Sequence, residues 1–303
     1  MNATVTQLHV APQTNHAPSI ASSALLAELS IGIWEGRKKD KKATNDVTSR
    51  NNAKKNAARV TKDLLVDCEE LKAIKTYRET IRSFHRNATL PWSNMGHRLL
   101  TNNYFLDYKR HMDEMMENFR QLVEEFLDAY SWEVADTQAK LGTLYNPDDY
   151  PSVETVRSKF KIRVNYMPVP ERGDFRLDIN TEAKAVLEES YSKFYDEQLT
   201  SAMSDVWQRV LEPLQHMSKM LDYGEGERAT GFHGTLVDHV VTVVDVLKAC
   251  NVNNVPKMEQ VRIDLTNALK GVTTDGLRRD PYLRSNTKRN VDEIIKNLPS
   301  LGF

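Results

Sequence analysis

Residues 103–141 read NYFLDYKRHMDEMMENFRQLVEEFLDAYSWEVADTQAKL, and this stretch decides the fold class. Tyr108, Met112, Met115, Phe119, Leu122 and Phe126 recur at alternating gaps of four and three, the heptad seam of a long packed helix. Met116, Val123, Leu127 and Tyr130 widen the stripe beyond a minimal two-helix seam, so more than one neighbour is expected. Gly142 is the natural stop, because glycine closes a helix without a Cβ penalty.

Working outward, the same period recurs on both sides. Ala53, Ala57, Val60, Leu64, Leu71, Ile74, Tyr77, Ile81 and Phe84 mark one stripe of a helix expected over 53–84, ending before Pro91. Downstream, Ala183, Leu187, Tyr191, Phe194, Ala202, Val206, Val210, Leu214, Met217 and Leu221 mark another over 181–221, with Pro213 as a bend. Shorter helices are expected near 234–250, 257–270 and 289–298. Between the long helices the period drops to two. Phe160, Ile162, Val164 and Tyr166 alternate with polar residues, as do Phe175, Leu177 and Ile179, and MPVPERGD joins the two runs. The expected fold is therefore mainly α: long antiparallel helices, with a β-hairpin at about 160–179 inserted at the tip of a helical hairpin.

The first 20 residues carry no Lys, Arg, Asp or Glu and no periodicity, which reads as a flexible tail over 1–21 without a secretory signal. Ser22 and Ser23 are placed to cap an apolar turn, ALLAEL. The long-helix body then spans 22–222 and a smaller helical region 223–303. With 303 residues, 27% charged and 40% hydrophobic, the chain can bury a core. Twelve glycines and eleven prolines are too few for a turn-dense sandwich or propeller. Cys68 and Cys250 are the only cysteines, which excludes a disulfide framework and four-cysteine metal sites. No apolar run approaches the roughly 20 residues of a membrane span.

Catalytic signatures are sparse. HExxH, G-x-S-x-G and a glycine-rich phosphate loop are all missing, and His233 and His239 stand about 120° from a common helix face. Neither metal nor cofactor is expected, and Cys68 reads as an ordinary buried thiol within the first long helix. The sharpest enzymatic alternative is a metal-dependent nuclease built from Asp148, Asp149, Asp178, Glu182 and Lys184. Turn formation by Pro147-Asp148-Asp149 and a helix start at Glu182 explain the same residues without chemistry.

Charge is segregated although the net is only −1. From Arg37 to Lys62 ten basic residues face only Asp40 and Asp46; from Asp113 to Asp136 eight acids face only Arg120. The blocks can attract each other, within a chain or between copies, or stand as solvated faces. Arg37, Lys38, Lys39, Lys41, Lys42, Lys54, Lys55 and Arg59 are the candidate contact residues, toward a protein partner or toward phosphates on a mobile basic segment. Only Trp34 is near to stack on a base. Pro168, Pro170 and Arg172 of the hairpin loop form a second candidate contact.

The strings SIGIWEGRKKDKKAT, LPWSNMGHRLL, LGTLYNPDDYPS, PVPERGDFRL and AMSDVWQRV, taken in order over about 25–300, resemble those of an uncharacterised tailed-phage family. Its genes lie beside genes for a MoxR-type AAA+ ATPase and a von Willebrand A-domain protein. The resemblance implies a phage protein in the host bacterial cytoplasm, with virion incorporation left open. It implies a ring ATPase as a partner and supplies no catalytic residues. The function expected is a non-enzymatic adaptor or scaffold, working with the ATPase or with a second copy. The alternative is a DNA-binding protein of phage genome metabolism.

Overall fold

The computed structural model describes residues 20–93, 96–170, 181–222, 235–251 and 255–299. In chain order its elements are α1 (Ile20–Ser23), β1 (Ala24–Gly32), β2 (Arg37–Asp40), α2 (Lys41–Arg50), β3 (Val60–Asp63), α3 (Glu69–Asn87), β4 (Leu90–Pro91), β5 (Arg98–Thr101), α4 (Asn102–Leu141), α5 (Val153–Arg157), β6 (Lys161–Pro168), α6 (Thr181–Leu221), α7 (Leu236–Cys250), α8 (Pro256–Ala268), α9 (Thr274–Arg279) and α10 (Pro281–Lys296). The chain is predominantly helical, as its periodicity predicts. No helix among the described residues is long and apolar enough to cross a membrane.

The sheets amount to more than a hairpin. One has the order β4-β5-β1-β6, all antiparallel, and a second pairs β2 with β3. β6 is the strand expected over 160–166, but it pairs along β1, from Leu25 opposite Pro168 to Gly32 opposite Lys161. The second expected strand, Phe175–Ile179, lies outside the described residues, as does the 1–19 portion of the tail.

The apolar turn ALLAEL is in fact the inner strand β1. Its side chains sort by parity: Ala24 and Leu26 enter one core, while Ala27 enters another with Leu25, Leu29 and Ile31 at its margin. Leu99 and Leu100 of β5 divide in the same way. A strand covered on both faces shows no polar alternation, so its sequence reads as a continuous apolar run.

The sheet thus separates two helical layers. On one side α3 and α4 bury Ile74, Ile81, Tyr108, Phe119 and Phe126. On the other, α6 packs with α7 and α10 around Val206, Val210, Leu214, Val240 and Leu247. Each such side chain stabilises the fold by roughly 2 kcal/mol through burial. This differs from the expected helical hairpin, since α4 has α3 as its helical partner and α6 has α7 and α10. The heptad seam is buried within the chain: Tyr108, Met112, Phe119 and Phe126 are inaccessible, and Met115 and Leu122 half-buried.

The helix expected over 53–84 starts only at Glu69. Residues 60–63 form β3, and Asp67 adopts a left-handed φ of 60° that no continuous helix allows. At the other end, α3 stops at Asn87, and its last carbonyls receive two arginines. Arg98 Nη2 donates to Arg86 O at 3.3 Å and Thr89 O at 2.9 Å, and Arg209 Nη1 of α6 reaches the same two oxygens at 2.6 and 3.2 Å. α6 runs through Pro213 without interruption.

Candidate functional site

The basic run is a folded unit, not the mobile segment expected from sequence. Gly36 turns the chain out of β1 at a φ of 65°, and its carbonyl accepts from Leu64 N at 2.6 Å. β2 and β3 pair from Arg37 opposite Asp63 to Asp40 opposite Val60. Between them stands α2, started by Asp40, whose carboxylate accepts from Ala43 N at 2.8 Å. α2 buries only Thr44 and Thr48, and the Thr44 hydroxyl bridges Asp40 O at 2.6 Å and Val60 N at 3.0 Å. A helix held by hydroxyls rather than an apolar face has no hydrophobic period. Asp40 as an N-cap was its one readable signal.

An ion-paired clamp seats this unit on the turn that follows α4. Asp149 Oδ1 lies 2.6 Å from Lys38 Nζ and its Oδ2 lies 2.6 Å from Lys62 Nζ. Lys62 is buried, donates also to the carbonyl of Leu144 and stands 3.6 Å from Asp40. Burial opposes the charge on Asp149, but hydrogen bonds and charge from Lys38 and Lys62 outweigh it and hold the carboxyl below its ordinary pKa. Tyr150 adds a hydroxyl donated to Leu64 O at 2.9 Å.

The clamp divides the expected contact residues. Arg37 pairs with Asp63 at 2.7 Å and Lys38 with Asp149, so these two serve the fold. Lys39, Lys41, Lys42, Lys54, Lys55 and Arg59 are exposed, as is Arg50, and none of the seven has an ion-pair partner among the described residues. None pairs with the acidic block 113–136, whose members Asp113, Glu117, Glu124 and Asp136 go to Lys109, Arg120, Arg157 and Lys140. Asp46 is the one exposed acid on α2. These cations, on β2 and α2 and in the connection from α2 to β3, create a local positive field despite the near-zero net charge.

Compared with family models, curated proteins and solved structures, the chain matches none. Its functional reading therefore rests on this geometry.

The other candidates do not assemble. Pro168 stands in β6 opposite Leu25, so it belongs to a strand and not to a free loop; Pro170 is exposed, and its carbonyl accepts from Tyr191 Oη at 3.1 Å. Arg172 lies outside the described residues. Of the nuclease set, Asp149 is committed to two lysines, Asp148 is exposed, Glu182 opens α6, and Asp178 and the side chain of Lys184 lie outside the described residues. His239 is exposed and His233 lies outside the described residues. What the sequence reading missed is Glu133. Counted there among solvated acids, it is buried on α4 and meets Cys68 and Glu70 from the start of α3.

Proposed function

We propose that this protein is a non-enzymatic adaptor whose β2–α2–β3 platform grips the phosphates of DNA. The observation that carries this reading is the set of seven exposed cations, none ion-paired among the described residues and with Asp46 as the one exposed acid of α2, on a unit clamped through Asp149. The platform is rich in lysine and asparagine and lacks aromatic side chains. Lysine is depleted and aromatics are enriched at the centres of protein interfaces, so its composition suits a phosphate backbone better than a protein surface. Without stacking rings or a recognition helix dressed for base edges, binding would ignore sequence.

The test is titration of labelled duplex and single-stranded DNA with the full chain and with Lys39→Glu/Lys41→Glu/Lys42→Glu/Lys54→Glu/Lys55→Glu. Lys38 is left intact because it holds the clamp. Loss of at least about tenfold in affinity with unchanged melting temperature supports the reading. Equal affinity of the two proteins rejects it.

A second reading keeps the adaptor and replaces DNA by a protein partner, the MoxR-type ring ATPase that the phage-family resemblance implies. The observation favouring it is Trp132 on α4, a large aromatic side chain that is 67% exposed. Tryptophan is the residue most enriched among binding hot spots. In this reading Trp132→Ala abolishes ATPase capture while leaving the fold intact.

A further inference from the structure

We propose that Cys68, Glu70 and Glu133 form a binding site for a divalent transition-metal cation of the zinc type, stapling the start of α3 to the last turns of α4.

The three side chains come from two elements and converge. Their ligand atoms, one sulfur and two carboxylate oxygens, all lie within 4.8 Å of one another. Cys68 Sγ and Glu70 Oε2 are 3.6 Å apart. A tetrahedral zinc with ordinary Zn–S and Zn–O bonds places such a pair about 3.5 Å apart. Small rotations of Glu133 complete the set, and a water fills the fourth position.

A second observation points the same way. Glu133 is only 5% exposed, yet its Oε2 has no hydrogen-bond partner among the described residues. An unpaired carboxylate oxygen in the interior is costly, and a cation is one of the few groups that repay it. One turn further along α4, the buried hydroxyl of Thr137 is likewise without a partner among the described residues. Cys68 occupies the N-cap position of α3, and its thiol donates to Glu70 Oε2. Asp67, in its left-handed conformation, delivers Cys68 into the cluster.

The electrostatics agree with the geometry. Burial, together with the charges of Glu133 and Glu70, pushes the Cys68 thiol up to about 12, against one hydrogen bond from the Leu71 backbone. Burial and Glu70 raise Glu133. Burial leads both shifts and the neighbouring acids add to them; a divalent cation would offset both effects, with the thiol proton released to solvent on binding. Lys140 is the nearby positive charge that partly offsets the rise in Glu133, but it is engaged by Asp136 at 2.7 Å and Val66 O at 3.0 Å. The thiolate selects a borderline ion of the zinc or cobalt kind over magnesium or calcium.

The test is titration of the reduced full chain with Co²⁺, followed by thiolate-to-cobalt charge transfer in the near ultraviolet, and then displacement by Zn²⁺. We expect saturation at about one equivalent, with loss of the charge-transfer band in Cys68→Ser. Glu70→Gln changes a half-buried residue, so it keeps the fold whatever befalls the others; it and Glu133→Gln should weaken binding at least about tenfold. The proposal fails if the wild-type chain shows no saturable binding. It fails equally if the band survives Cys68→Ser, which would assign it to Cys250, or if affinity is unchanged in Glu70→Gln.

Discussion

Lys62 and Asp149 close a buried ion pair at 2.6 Å, and through it the platform is fixed to the turn beyond α4. Both side chains are 8% exposed, so neither charge has water to fall back on. Replacing one partner strands the other. Asp149→Asn is therefore expected to cost about 3 kcal/mol in denaturant unfolding. Because the native pKa of Asp149 is depressed below 3.8, its contribution is complete above that pH and is lost as pH falls through the lower native value. An Asp149→Asn chain as stable as wild type at neutral pH would show that the clamp is incidental.

His85 supplies a second pH dependence, at milder acidity. Its ring nitrogen Nδ1 lies 2.8 Å from Tyr108 Oη between α3 and α4, and burial, with a smaller effect of Arg98, lowers its pKa from 6.5 to about 4. The unfolded chain takes up a proton first. The native state thus loses stability as pH falls from 6.5 towards 4, by about 3 kcal/mol in all. Unfolding curves of wild type and His85→Gln across that range are expected to converge at the acid end. Parallel curves would contradict the assignment.

Gly36 has no room for a side chain. At its φ of 65° a Cβ would stand 2.8 Å from Leu71 Cδ2, in the first turns of α3. Gly36→Ala should cost about 2 kcal/mol, from backbone strain and overpacking together. Since Gly36 O also holds Leu64 N, amide exchange in β2 and β3 should quicken more than in β1. Uniform exchange across all three strands would mean that the platform is not seated at this point.

How far the sequence carried depends on what each segment buries. α4 and α6 were legible to within a residue because an apolar stripe at helical spacing repeats for about six turns in α4 and about ten in α6, and Gly142 marks the end of α4. β1 was not, because Ala24, Leu26 and Ala27 are buried on two faces, with Leu25 half-buried between them, and the run loses the alternation that identifies a strand. The stripe at Ala53, Ala57, Val60 and Leu64 matched a helical period by coincidence. Val60 and Leu64 belong to or follow β3, and no periodicity argument sees the turn at Asp67. Of the candidate site, the sequence shows the cluster of basic residues, most of which the structure places at the surface. Which lysines are spent on Asp149 depends on a contact between segments far apart in sequence, and only the fold supplies it. Glu133 was hidden for the same reason, one buried acid among seven that face solvent or an ion-pair partner.

The platform itself sets the expected salt response. If most of its seven free cations meet phosphates, the logarithm of the binding constant falls against the logarithm of salt with a slope of about −5. Four charge reversals among Lys41, Lys42, Lys54 and Lys55 should flatten that slope by about 3 or more while leaving the Asp149 clamp intact.

The most direct test of the account is the equilibrium constant for a short DNA duplex between 50 and 200 mM salt, measured on wild type and on that charge-reversed chain. Wild-type affinity is expected to drop by about a thousandfold over this range, and that of the variant by only about tenfold. Affinity that ignores salt, or that the reversals leave untouched, would contradict the claim that the β2–α2–β3 platform is the site of function.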